Sequence, residues 1–175
     1  MRDKQLALKP QDLLVALKIA VNENRRLTFA ELGSELAMSA SEVHAASKRA
    51  EICRILTREN DILKAANLSL QEFILHGLRY VFPPIMGSIN RGMPTGTAAN
   101  PLKKYFSHND MLEFVWPDPE GEVRGISLQP LYPSIPRAAR LDKNLYEILV
   151  LVDALRVGAS REREIASSEL MQRLI

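Results

Sequence analysis

The chain of 175 residues lacks the features that mark disulfide-stabilised or membrane-spanning proteins. Cys53 is the only cysteine, so the chain can form neither an intrachain disulfide nor a cysteine-rich zinc site. No apolar run approaches the roughly 18 residues that a membrane-spanning helix needs, and residues 1–4 open the chain without an apolar signal segment. We therefore expect a cytoplasmic protein with no membrane partner.

The sequence has no large excess of charge of either sign. It contains 23 Lys and Arg residues against 21 Asp and Glu, a formal net charge of +2, so any nucleic-acid site must be a local feature of the surface. Its 46% hydrophobic residues are typical of an ordinary globular protein. The length allows one compact domain, or a small domain with an appended second half.

Catalytic and cofactor-binding motifs are also missing. Residues 87–96 are rich in glycine, but they match neither the dinucleotide fingerprint nor the phosphate-binding loop. The chain has no Gly-x-Ser-x-Gly elbow and no His-Glu-x-x-His pair, and His76 has no third ligand nearby in sequence. We therefore predict no catalytic residue, no metal and no cofactor; an enzyme stays a third hypothesis, which a bound metal or cofactor would favour.

Proline is concentrated in the middle of the sequence. Nine of the ten prolines lie between Pro83 and Pro136, so we expect turns, extended chain and short strands there rather than long helices. Residues 112–116 and 122–128 flank a turn-rich sequence, which predicts a β-hairpin within this Pro/Gly-rich arm. The helices are expected on either side of the arm.

Helix-start signals predict several short helices before the arm. Residues 10–22 have helical apolar spacing, and Thr28–Glu31 and Ser39–Glu42 are two capping boxes eleven positions apart. Two capped helices would therefore follow each other through a tight turn at Ala37–Met38. A further helix is predicted to be capped at Ser69, after a hairpin in residues 52–67.

The second capped helix has an outward face suited to DNA. Val43, Ala46 and Ala50 form its buried stripe, and at 100° per residue the polar residues fall on the other side. Lys48 and Arg49, which we expect to be exposed, would address guanine edges or phosphates. The full set of candidate nucleic-acid-binding residues is Ser39, Ser41, His44, Lys48, Arg49, Arg54 and Arg58, the last two near or on the wing.

This layout resembles the winged helix-turn-helix domains of bacterial transcriptional regulators of the MarR-like kind. The resemblance covers roughly residues 10–66 and is strongest over Leu27–His44. It implies that the second helix of the motif enters a major groove while the first braces it across the backbone. The remainder of the chain resembles an uncharacterised group of bacterial proteins, from which no mechanism follows.

Two C-terminal helices are predicted at about 142–157, ending at Gly158, and at about 161–174, capped by Ser160. The first is apolar most of the way round, so it must be covered either by the arm or by a second copy of the chain. Because helix-turn-helix regulators are expected to bind as twofold dimers, we assign dimerisation to the C-terminal helices. The dimerisation residues are predicted to be Leu145, Ile148, Leu149, Val150, Leu151, Val152 and Leu155.

The sequence therefore predicts a mainly α protein of the α+β class. Residues 1–66 would form a winged helix-turn-helix DNA-binding domain, and residues 67–175 a helical dimerisation half that includes the arm (83–136). The first hypothesis is a homodimeric regulator that represses by occupying a duplex DNA operator. The alternative is a protein-interaction module, such as an antitoxin-like or adaptor protein, whose arm binds a second protein.

Overall fold

The computed structural model describes residues 6–106 and 113–174 and has a mixed α/β fold. Its first helix, α1, spans Pro10–Ala20, and α2 spans Phe29–Leu36. The Thr28 hydroxyl accepts from the Glu31 amide at 3.2 Å, and the Glu31 carboxylate accepts from the Thr28 amide at 2.7 Å. The predicted helix at 10–22 and the first capping box are thereby confirmed.

Helix α3 spans Ala40–Ile52 and begins with half of the predicted second capping box. The Ser39 hydroxyl accepts from the Glu42 amide at 3.2 Å, as expected. The Glu42 carboxylate does not bond back to Ser39, because it accepts a hydrogen bond from the Tyr132 hydroxyl instead. This bond raises the pKa of Tyr132 to about 12, and it ties the start of α3 to the C-terminal half of the chain.

A tight turn joins α2 to α3. Ala37 adopts a left-handed conformation with φ of 52°, which ends α2 and reverses the chain. Gly33 lies directly under this turn: a Cβ at this position would lie 2.7 Å from the carbonyl oxygen of Met38. The absence of a side chain at Gly33 therefore allows the two helices to approach this closely.

A two-stranded antiparallel hairpin follows α3. Strand β1 spans Leu56–Glu59 and β2 spans Ile62–Ala65, with Glu59 opposite Ile62. The two residues between them, Asn60 and Asp61, both have positive φ, as the common two-residue hairpin turn requires. The predicted hairpin is confirmed.

The next helical segment starts earlier than the sequence predicted. Helix α4 spans Asn67–Glu72, a π-helical turn spans Phe73–Gly77, and α5 spans Leu78–Val81. Ser69 therefore lies inside the helix and does not cap it. The helix begins immediately after β2, because the amide of Leu70 already donates to the carbonyl of Ala66.

Three strands in the middle segment form a small closed sheet. They are β3 (Met86–Pro94), β4 (Phe114–Pro117) and β5 (Val123–Leu128). Both β4 and β5 pair antiparallel with β3, and they pair parallel with each other, so the predicted hairpin topology is wrong. Strand β3 is the antiparallel partner of both β4 and β5, so the turn between β4 and β5 does not join them as a hairpin. Residue 112, the first of the predicted strand, lies outside the described residues.

Three helices complete the chain: α6 (Ile135–Leu141), α7 (Lys143–Val157) and α8 (Ser160–Arg173). The Asp142 carboxylate caps α7 by accepting from the Leu145 amide at 3.1 Å, and Gly158 follows the end of α7, as predicted. Ser160 is the first residue of α8 and does not cap it. The Glu162 carboxylate accepts from the amide of Ala159 at 2.8 Å and so performs the capping.

One hydrophobic core runs through both halves of the chain, across the predicted boundary at residue 66. A buried charge cluster also joins the halves: the fully buried Lys18 ammonium on α1 lies 2.5 Å from the Asp142 carboxylate and 2.6 Å from that of Glu35. Helix α7 packs against α1, α5, α6 and α8 and is the central helix of the fold. Within the described ranges, no helix has both the length and the apolar content that crossing a bilayer requires.

Candidate nucleic-acid interface

The outward side of α3 is a stripe of exposed side chains that are small or polar except for the apolar Ile52. Ser41, Ala45, Lys48 and Ile52 are exposed along it, at positions one turn apart. On the opposite side, Val43, Ala46, Ser47 and Ala50 are buried against α1 and α2, which gives the helix its fixed orientation. We refer to Ser41, Ala45, Lys48 and Ile52 as the α3 stripe.

His44 lies on the flank of the stripe that faces α2. Its ring packs edge-on against Phe29 with a centroid separation of 5.0 Å, and the side chain is half-buried. The imidazole is held in place by this contact while part of it remains accessible. A half-buried ring beside an exposed stripe can still reach a molecule that contacts α3.

Arg49 lies on the opposite flank of the α3 stripe from His44, and its side chain is less exposed than predicted. Its guanidinium donates to both oxygens of the Asp12 carboxylate on α1, at 2.7 to 3.1 Å. Asp12 is fully buried and the Arg49 side chain is 18% exposed, and the pairing raises the pKa of Arg49. A buried carboxylate needs a partner cation, so Arg49 stabilises the packing of α3 on α1 and is not a free cation for DNA.

The two predicted wing arginines have different surroundings. Arg58, on β1, donates to the Glu51 carboxylate of α3 at 3.0 and 3.2 Å, so its charge is matched by a neighbour. Arg54 is exposed directly after α3, in a left-handed conformation with φ of 61°. Ser39 is exposed at the start of α3, and its hydroxyl lies 3.1 Å from that of Ser41.

The charges of residues 10–66 balance, with eight basic and eight acidic side chains. Most of the basic groups lie within ion-pair distance of a carboxylate. Among the described residues, three of the eight have no such carboxylate partner: Arg26, Lys48 and Arg54. Lys48 lies on the α3 stripe and Arg54 follows its end, so two of the three free cations border the same helix.

Arg26 belongs to a groove that the sequence did not reveal. The groove, about 350 Å³, lies between the start of α2 and the β1–β2 hairpin, and Arg25, Arg26 and Arg58 line it together with Asp61. Phe29, the contact of His44, also lines it, so the groove adjoins the His44 flank of α3. The adjacent arginines just before Thr28 are the only signal in the sequence that could have indicated it.

The seven residues predicted for dimerisation are not at the surface. They are between 0 and 5% exposed in the single chain, where α5, α6, α8 and the short turn at Gly96–Ala98 cover α7. The apolar circumference of this helix is explained by burial within its own chain, which corrects its assignment as a dimer surface. The residues concerned are Leu145, Ile148, Leu149, Val150, Leu151, Val152 and Leu155.

A buried hydrogen-bond network attaches the middle segment to α7. The Asp153 carboxylate accepts from the Trp116 indole at 2.6 Å, from the Thr95 hydroxyl at 2.9 Å and from the Arg156 guanidinium at 2.7 Å. Arg156 also donates to the backbone carbonyls of Phe82 and Pro83. All these groups satisfy each other, so the network is structural and orders the strands beside α7.

The described residues contain no cluster of three or more His, Cys, Asp or Glu side chains that could hold a metal ion. Comparison of the chain with protein-family models, with curated proteins and with solved structures found no match. The functional argument therefore depends on the geometry and the charges of α3 and its surroundings.

Proposed function

We propose that the protein binds duplex DNA through α3 and acts as a transcriptional regulator, with residues 10–66 as a winged helix-turn-helix. The observation that carries the proposal is the exposed α3 stripe, which contains small side chains and one free lysine. Ala45 and Ser41 allow a groove floor to approach the helix closely, and Lys48 can contact a phosphate or a guanine edge. The β1–β2 hairpin would be the wing.

The geometry of the helix pair supports this use. The turn at Ala37 and the close contact at Gly33 fix α3 against α2, so that α3 projects while α2 braces it. Ser41 and His44 supply hydrogen-bonding groups beside Lys48. Base contacts would come from these three side chains, and phosphate contacts from Lys48, Arg54 and the Ser39 end of α3.

The few free cations set the expected salt dependence. Arg26, Lys48 and Arg54 are the cations of residues 10–66 available to phosphates among the described residues, and each one neutralised contributes about −0.9 to the slope of log K against log salt. We expect a slope of about −3, much shallower than that of a strongly basic repressor. Specificity would then depend on base contacts more than on bulk charge.

The test is fluorescence anisotropy with duplex DNA from upstream of the protein's own gene and with scrambled duplex, at several salt concentrations. We expect tighter binding to the upstream duplex and a loss of about tenfold in Lys48→Ala, because its side chain is exposed and has no carboxylate partner. Lys143→Ala, which removes an exposed lysine from α7, is the matched control. Equal affinity for both duplexes, or no binding at the lowest salt, would reject a sequence-specific regulator.

A homodimer is part of the proposal, since two α3 helices about 34 to 36 Å apart match successive faces of the major groove. Its surface cannot be the buried side chains of α7 in this fold. Light scattering after gel filtration measures the oligomeric state, and a monomer at micromolar concentration with and without DNA would reject the dimer. Repression would follow from occupation of the operator by this dimer.

The exposed apolar side chains favour protein interaction as the second candidate function. Tyr80, Val81, Ile85, Met86 and Ile89 are between 49 and 76% exposed within ten residues of chain. Ile85 and Met86 also line a groove of about 440 Å³ whose other walls include three prolines. This candidate is favoured if wild-type protein binds no duplex and if a partner that copurifies with it is lost in Ile85→Glu.

A further inference from the structure

Three arginines line the groove beside the start of α2. Arg25, Arg26 and Arg58 line it, and Asp61 is the one carboxylate among its lining residues. Arg25 donates to the Glu35 carboxylate at 2.5 and 3.1 Å and to Asn22, and Arg58 donates to the Glu51 carboxylate and to the backbone carbonyl of Asp61. Arg26 is exposed and lies within ion-pair distance of no carboxylate in the part of the chain that the structure describes.

The backbone of α2 does not supply an anion site here. The Glu31 carboxylate accepts hydrogen bonds from the amide and the hydroxyl of Thr28, at 2.7 and 2.8 Å, so a carboxylate already occupies the start of the helix. An anion in the groove would have to be held by guanidinium groups. A guanidinium has five N–H donors, whereas Arg25 and Arg58 each make three hydrogen bonds within the chain, so some of their donors remain unused.

The groove is continuous with the proposed DNA-contacting helix. Phe29 lines it and packs against His44, and Arg58 connects it to α3 through Glu51. The sugar-phosphate backbone of a duplex that contacts the α3 stripe would therefore pass close to the groove, on the His44 side of α3. Lys48 and Arg54 lie on the stripe and beyond its end, so they would contact other phosphates.

We propose that this groove is a second anchoring site for duplex DNA, in which Arg26, assisted by Arg25 and Arg58, binds a backbone phosphate next to the segment contacted by α3. The proposal rests on the proposed function of α3. Arginine is suited to this role because its planar fork can donate two parallel hydrogen bonds to one phosphate. Phosphate contacts fix the register of a protein on DNA but do not read the sequence.

The experiment compares wild type with Arg26→Ala by anisotropy, using the upstream duplex and a scrambled duplex of equal length. We expect Arg26→Ala to weaken both duplexes by the same factor, roughly fivefold at low salt, and to reduce the salt slope by about 0.9. Arg26→Lys should restore most of the slope, because it keeps the charge. Arg91→Ala, which removes an exposed arginine from β3, is the matched control and should change neither quantity.

Each outcome separates this site from the α3 proposal. If Lys48→Ala weakens binding while Arg26→Ala has the affinity and slope of the control, the groove is not a phosphate site and α3 keeps its role. If wild-type protein binds no duplex, both proposals fail.

Discussion

The Arg49 guanidinium on α3 holds the fully buried carboxylate of Asp12 on α1 by three hydrogen bonds of 2.7 to 3.1 Å. This pair fixes the orientation of α3 in the fold, because it joins the flank of that helix to the first helix of the chain. Arg49 thus affects the α3 stripe through the position of the helix and not through contact with a ligand.

Arg49→Ala should therefore lower the stability of the protein. Removing the cation leaves the Asp12 carboxylate buried with only the Lys9 amide as a partner. We expect the free energy of unfolding in urea to fall by about 2 kcal/mol, less than for a fully buried pair because Arg49 is partly exposed. Lys48→Ala, one residue away and exposed, should change it by less than about 0.5 kcal/mol. Equal stability of the two variants would contradict the structural role of the pair.

Gly92 should tolerate no side chain, whereas Gly87 on the same strand should. A Cβ at Gly92 would lie 2.0 Å from the carbonyl oxygen of Trp116, but a Cβ at Gly87 meets Ser127 at an ordinary 3.5 Å. We expect Gly92→Ala to displace β4 from β3 and to cost about 3 kcal/mol or more, a value typical of severe overpacking. Gly87→Ala should stay near wild type in thermal unfolding followed by circular dichroism, and similar losses in both variants would argue against the closed sheet.

Acid should weaken the contact between α1 and α7. Burial disfavours the charged form of Asp142, but hydrogen bonds from Lys18, Asn22 and the Leu145 amide together hold its pKa below the ordinary value. Hydrogen bonds from Arg25 and Lys18 likewise lower the pKa of Glu35. A carboxylate whose pKa is lower in the folded state stabilises the fold above its unfolded pKa, about 4, and this contribution is lost as the pH falls through the folded value.

Asp142→Asn tests this contribution, because asparagine can still cap α7 but carries no charge. We expect the variant to be less stable than wild type at pH 7, and the difference to shrink as the pH is lowered from 5 to 3. Urea unfolding at pH 7, 5 and 3.5 measures it. A difference that stays constant over this range would show that the charge of Asp142 contributes nothing.

The whole chain should unfold as one cooperative unit. Its hydrophobic core crosses residue 66, and Lys18 and Asp142 connect the two halves. Trp116 is the only tryptophan and is 1% exposed, so its fluorescence reports on the C-terminal half, while circular dichroism at 222 nm reports on all helices. We expect the two urea transitions to coincide. Separate midpoints would instead support independent domains divided near residue 66.

Local signals in the sequence predicted most of the helices and the first hairpin. The Thr28 box, the spacing of residues 10–22 and the glycine at 158 each act within one turn of helix, so they can be recognised without tertiary information. β3 was not predicted, because it has two glycines and a bulge between Met86 and Ile89 in place of regular alternation. Its pairing with two distant strands gives it its structure.

The site was predictable only in part, for a related reason. The exposure of Ser41, Ala45 and Lys48 follows from helical periodicity, which the sequence displays. The pairing of Arg49 with Asp12 joins residues 37 positions apart, and that of Arg58 with Glu51 depends on how the hairpin folds back on α3. Long-range ion pairs of this kind decide which cations are free, and no local pattern encodes them.

The complete burial of Lys18 has a practical consequence for chemical labelling. Reagents that acylate lysine amines react only with side chains that solvent can reach, and the Lys18 ammonium is enclosed by Glu35 and Asp142. Lys48, Lys64 and Lys143 are exposed on the same molecule and provide internal references for the reaction. Mass spectrometry of a labelling time course would thus show slow acylation of the peptide that contains Lys18. The rate of this acylation would report how often the α1–α7 contact opens, without any engineered probe.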